Sequence, residues 1–140
     1  MNTHLILCPV DYSSTSDLAI ELAGKLARSG ESKVILLHVI EPGSADEKTT
    51  IVGAMINDAK DRIRERGLFD KSIELEHLTL KGNPGEVIVH FAEKRKADLI
   101  VMGTHGRTGL SKLLMGSIAQ AVMQNAPCPV ITIKPPANNN

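Results

Sequence analysis

Two rhythms of apolar residues run along this chain, short unbroken runs and longer stretches in which apolar side chains return every three or four positions, and they predict different elements. Leu5 to Val10 is apolar until Asp11 closes it, and Val34 to Ile40 is apolar except for His38. Such runs read as strands covered on both faces. Ile73 to Leu80 has Glu74 and Glu76 interleaved, as an edge strand does. Asp98 to Met102 and Pro129 to Ile133 bring the expected strands to five.

Helical patterns fill the intervals. Ser13, Ser14, Thr15 and Ser16 offer N-caps for a helix through about Arg28, with Leu18, Leu22 and Leu26 beside Ala19, Ala23 and Ala27 as its packing face. Glu41 to Asp46 is a Pro/Gly/Ser loop, and Lys48 to Arg66 reads as a charged helix with Ile51, Met55, Ile56, Ala59 and Ile63 turned inward and Gly67 as its stop. The turn Gly82-Asn83-Pro84-Gly85 starts a helix carrying Val87, Ile88, Phe91 and Ala92, and a last helix is expected from Gly116 to Gln124. Five strands alternating with four helices imply parallel pairing through right-handed crossovers, hence a single-domain α/β fold with an open sheet covered on both sides.

Composition narrows the chemistry. The 140 residues suit one domain, here expected over 1–134, and the tail 135–140 (PPANNN) lacks apolar content and is expected to be disordered. Sixteen basic against sixteen acidic side chains leave no net charge, and one Tyr, two Phe and no Trp leave no platform for stacking bases, so no nucleic-acid partner is expected. No apolar run spans a bilayer and no charged leader precedes one, so no membrane partner is expected and a cytoplasmic location is the simplest reading. Cys8 and Cys128 lack C-x-x-C spacing and read as buried free thiols.

The segment Asp98 to Ser117, DLIVMGTHGRTGLSKLLMGS, carries the strongest signal. An apolar strand empties into Gly103 and Gly106, and Gly116-Ser117 follow at the spacing G-x2-G-x9-G-S. The first two glycines permit positive φ and let amides approach a ligand. Gly116 and Ser117 would set backbone N–H groups and a hydroxyl at a helix N-terminus, where an anion is favoured. Neither G-x4-G-K-[ST] nor G-x-G-x-x-G is present, which argues against P-loop hydrolysis and dinucleotide binding.

Together with LILCPVDYSSTSDLAIELA, VILLHVIEP, KGNPGEVIVHFAEKRKADLIVMG and the closing CPVITIK, this segment resembles the ATP-binding branch of the universal stress proteins along nearly the whole chain. The resemblance implies a Rossmann-like fold, similar to the adenine nucleotide alpha hydrolases, with strand order 3-2-1-4-5. The crevice then lies where that order reverses, between the first and fourth strands. It further implies that Asp11 contacts the ribose, that Pro9 and Val10 help form the adenine side, and that Val39 and Met102 flank the base. Asp11 has a second reading from chemistry alone, as a cap on the first helix. His38, isolated in an apolar run, reads as a packed residue with a backbone partner.

The expected nucleotide-binding set is completed by Gly103, Thr104, His105, Gly106, Arg107, Gly116, Ser117 and Ile118. For His105 and Arg107 an outward-pointing loop role stands beside phosphate contact, and no residue is assigned to catalysis. The backbone of Gly82-Asn83-Pro84 can also reach a base. The expected ligand is ATP, or ADP or AMP, with Mg2+ or Mn2+ carried by the phosphates because no carboxylate cluster forms a protein-only site. The resemblance implies a nucleotide-dependent stress-response or regulatory protein. The alternative is a slow ATPase or nucleotidyl transferase, opposed by the missing P-loop lysine and the absence of an evident base for water. The apolar edge strand Val130 to Ile133 predicts a homodimer, as the resemblance also implies.

Overall fold

The computed structural model describes residues 4–28, 31–48, 51–105 and 115–135. Among them, strands β1 (His4–Pro9), β2 (Ser32–Ile40), β3 (Glu74–Lys81), β4 (Leu99–Gly103) and β5 (Val130–Ile133) form one sheet. Its order is β3-β2-β1-β4-β5, and every pairing is parallel. Helices α1 (Ser14–Leu26), α2 (Ala45–Lys48), α3 (Ile51–Arg66), α4 (Pro84–Arg95) and α5 (Ser117–Asn125) connect the strands. The expected α/β architecture is thus observed.

Alternate residues of the same strands enter two separate cores. Ile6, Cys8, Val34, Leu36 and Val101 pack with Ala19, Ile20, Ala23 and Ile63 from α1 and α3. Leu7, Ile35, Leu37, Ile100 and Met102 pack with Ile88 and Ala92 of α4 and Ala119 and Val122 of α5. Strands buried on both faces need apolar residues at consecutive positions, which is why the runs in β1, β2 and β4 lack alternation. On the β3 edge the interleaved acids have a partner: Lys33 of β2 reaches Glu76 at 2.8 Å and Glu74 at 3.4 Å.

Some boundaries and faces differ from expectation. The segment expected to be loop through Asp46 already turns helical at Ala45, so α2 stands as a separate short helix before α3. Helix α1 stops at Leu26 rather than near Arg28, because Ala27 turns extended and the Arg28 backbone pairs with Ser32 at both its N–H and its carbonyl. The α1 packing face is Ala19, Ile20 and Ala23, while Leu26 is exposed. Leu22 and Ala27 also pack against this core, as expected. Both cysteines are free thiols, as expected, but only Cys8 is buried, Cys128 being partly exposed. Residues 136–140 of the expected tail lie outside the described residues.

Candidate functional site

The chain leaves β1 and β4 toward opposite sides of the sheet, and beyond their C-terminal ends opens a cleft of about 660 Å³. Clefts at this reversal of strand order are where open α/β sheets receive ligands, and this volume lies within the usual range for small-molecule sites.

One wall comes from the exit of β1. Asp11 Oδ1 accepts from the Ser13 amide at 2.9 Å, and the Asp11 amide donates to Ser16 Oγ at 2.9 Å. Ser13 caps α1, its hydroxyl accepting from the Ser16 amide. The Asp11 carboxylate thus accepts an amide beside the start of α1, in keeping with the capping alternative, while Ser13 is the N-cap itself; Asp11 also lies at the cleft wall. Tyr12, next in the chain, has φ 64° and packs its ring 5.1 Å from the His38 imidazole. Burial pushes its phenol up to about 12, so it stays neutral near physiological pH.

The opposite wall comes from β4 and α5. Gly103 lies here without positive φ, so the conformational reason expected for it does not hold. Its need for glycine is spatial: a Cβ would stand 2.6 Å from Thr15 Cγ2, a protein neighbour rather than a ligand. Thr104 is buried and heavily engaged. Its amide donates to Ile133 O at 2.9 Å, its hydroxyl lies 2.7 Å from His105 Nδ1 and 3.3 Å from Ile133 O, and its carbonyl accepts from the Gly116 amide at 2.8 Å. The Thr104 and Gly116 amides expected to meet phosphate are thus already bonded within the protein. Ser117 and Ile118 remain as the exposed first turn of α5, opening on the cleft. The first amides of a helix have no intrahelical acceptor and favour anions. Gly106 and Arg107 lie outside the described residues.

Sequence reasoning missed the rim beyond β2. His38 is buried with Nδ1 3.1 Å from Val10 O, as expected of a packed histidine, but its Nε2 also lies 3.2 Å from Asp46 Oδ2. Glu41, Ser44 and Asp46 all line the cleft; Asn83 and Pro84 at the start of α4, to which the sequence did point, line it too. Asn83 Oδ1 accepts from the Glu86 amide as the cap of α4. The signal available for the rim was the run Glu41-Pro42-Gly43-Ser44, whose Pro-Gly centre suits a type II turn. Pro9, Val10, Val39 and Met102 lie at the strand ends around the same cleft; Pro9, Val10 and Met102 are buried, and Val39, like Asp11, is partly exposed.

The cleft thus combines apolar strand ends, a carboxylate at β1 and open amides at α5, a set that suits a ligand with a flat apolar part, hydroxyls and an anionic end. The universal stress protein family model matches residues 2–134. The chain belongs to the universal stress protein family. Universal stress protein MJ0531 of Methanocaldococcus jannaschii is 34% identical, the match covering 94% of this chain and 82% of the relative. Among solved structures, that of protein MJ0577 superposes with a TM-score of 0.80 at 28% identity, covering 99% of this chain and all of the other. The universal stress protein of Archaeoglobus fulgidus, solved in complex with dAMP, gives 0.69 at 27% identity, with 94% and 98% covered. Among the described residues of this family member, no helix is long and apolar enough to cross a membrane.

Proposed function

We propose that the cleft binds an adenine nucleotide, ATP in the first place, and that the protein acts as a cytoplasmic, nucleotide-dependent regulator. The observation that carries this reading is the α5 N-terminus opening, opposite the Asp11 carboxylate, onto the cleft at the reversal of strand order. The dAMP complex of the Archaeoglobus relative supports the ligand class. Phosphates take the first-turn amides of α5, the Ser117 hydroxyl and the Gly103 to Gly106 loop. Asp11 accepts from the ribose, and the base lies toward Pro9, Val10, Val39 and Met102. Mg2+ or Mn2+ arrives on the phosphates, and two copies pair through β5.

Calorimetry with ATP, ADP and AMP in the presence of magnesium tests the proposal, with mass spectrometry of any small molecule released on denaturation. Ser117→Asp gives a sharp control. A carboxylate at the start of α5 suits the helix dipole and so preserves or raises the melting temperature, but it opposes phosphate and should weaken ATP binding at least about tenfold. Absence of heat with every adenine nucleotide would sink the reading. Light scattering at micromolar concentration tests the dimer, which predicts twice the monomer mass.

A further inference from the structure

Asp11 lies between two residues that are held by the same buried side chain. The pairing of β1 with β2 continues past Pro9 as the Val10 amide donates to Leu37 O at 2.9 Å, and the Val10 carbonyl then meets the His38 imidazole, with Nδ1 3.1 Å away. On the other side of Asp11, Tyr12 takes φ 64°, and its ring packs on the same imidazole at 5.1 Å between centroids. A residue with a large side chain keeps a left-handed backbone only where its surroundings hold it there. His38 is 2% exposed and its Nε2 is buried, so it offers a ligand almost nothing to touch. What it does instead is fix the chain on both sides of Asp11.

The ring is itself set from two directions. A carbonyl only accepts, so Nδ1 bears the hydrogen that faces Val10. Nε2 lies 3.2 Å from Asp46 Oδ2 on α2, a charge contact without hydrogen-bond alignment, and this contact keeps the ring turned with Nδ1 toward β1. Asp11 lines the cleft, one carboxylate oxygen tied to the Ser13 amide, and the place of that carboxylate follows the backbone that His38 brackets. A binding group held within about half an ångström keeps its hydrogen bond to a ligand, and one left looser loses it. Resting on the nucleotide reading above, in which Asp11 accepts from the ribose, we infer that His38 is a positioning residue: it holds the Asp11 carboxylate where it meets the hydroxyl groups of the ligand, and Asp46 keeps the ring turned for that task.

The test is calorimetric titration with magnesium salts of ATP and of dideoxy-ATP, which lacks both ribose hydroxyls. Wild type should bind ATP at least about tenfold more tightly, since a hydrogen bond to a charged group is at stake. His38→Leu should lose about five- to tenfold for ATP and less than about twofold for dideoxy-ATP, because only the hydroxyl contact depends on the placement of Asp11. His38→Asn, whose amide can put an N–H where Nδ1 stood, should recover most of that loss. Asp46→Ala, a change on the rim outside both cores, should show the same selective loss at about two- to threefold and carries the test if His38→Leu does not fold. Equal losses for the two nucleotides, or no loss in either His38→Leu or Asp46→Ala, would overturn the inference while leaving nucleotide binding intact. Wild-type protein that binds both nucleotides equally removes the Asp11 contact and this inference together, and protein that binds neither overturns the nucleotide reading as well.

Discussion

Gly103 illustrates how one missing carbon joins two elements. A Cβ there would stand 2.6 Å from Thr15 Cγ2 and 3.3 Å from Thr15 Cβ, so the β4 exit and the first turn of α1 touch backbone to side chain. Gly103→Ala should therefore cost about 1–3 kcal/mol of stability through overpacking. Adding Thr15→Ser, which deletes the offending methyl, should recover most of it in urea unfolding. Ser13→Ala removes the α1 cap and should cost about 1 kcal/mol by the same measurement. The sequence marked Gly103 as important through its place between a strand and a glycine-rich loop. The reason was not readable there, because Thr15 lies far off in the chain and only the fold brings it near.

At the scale of elements, the strands were the most legible part, since each apolar run in β1, β2 and β4 is buried on both faces and nothing else satisfies such a run. The α4 start was equally plain: Asn83 caps, Pro84 follows at the first helical turn, and both lie where Gly82-Asn83-Pro84-Gly85 placed them. Asn83→Ala should lower stability by about 1 kcal/mol in chemical denaturation, with the effect confined to the loss of the Glu86 amide's acceptor. Less was legible between β2 and α3. The segment is polar and short, its turn chemistry is visible in Pro42-Gly43, but whether its side chains face water or the cleft depends on His38 meeting Asp46 across the strand end. The same holds at α5, where the glycine spacing pointed to open amides and the structure spends the Gly116 amide on Thr104.

Across the whole molecule, one histidine outside the cleft sets an expected response to acid. Among the described residues, neither ring nitrogen of the His77 imidazole on β3 has a hydrogen-bond partner, and both are enclosed. Burial first, and then the nearby Lys60 ammonium, lowers its pKa from 6.5 to about 4. The unfolded chain therefore takes up this proton more readily than the native one. Stability from this source is whole above pH 6.5 and is lost as the pH falls through 6.5 toward 4. Thermal melting followed from neutral pH down to about 4.5 should show that decline, and His77→Leu should make it shallower. Thr104 has a reach of the same breadth. Through its amide and hydroxyl it is fastened to Ile133, and through its carbonyl to Gly116, the residue just before α5. A displacement of this threonine must carry the outermost strand with it or sever those ties. Any molecule that grips one end of that chain of bonds more firmly in one arrangement will, by reciprocity, be gripped more firmly when the other end is already held.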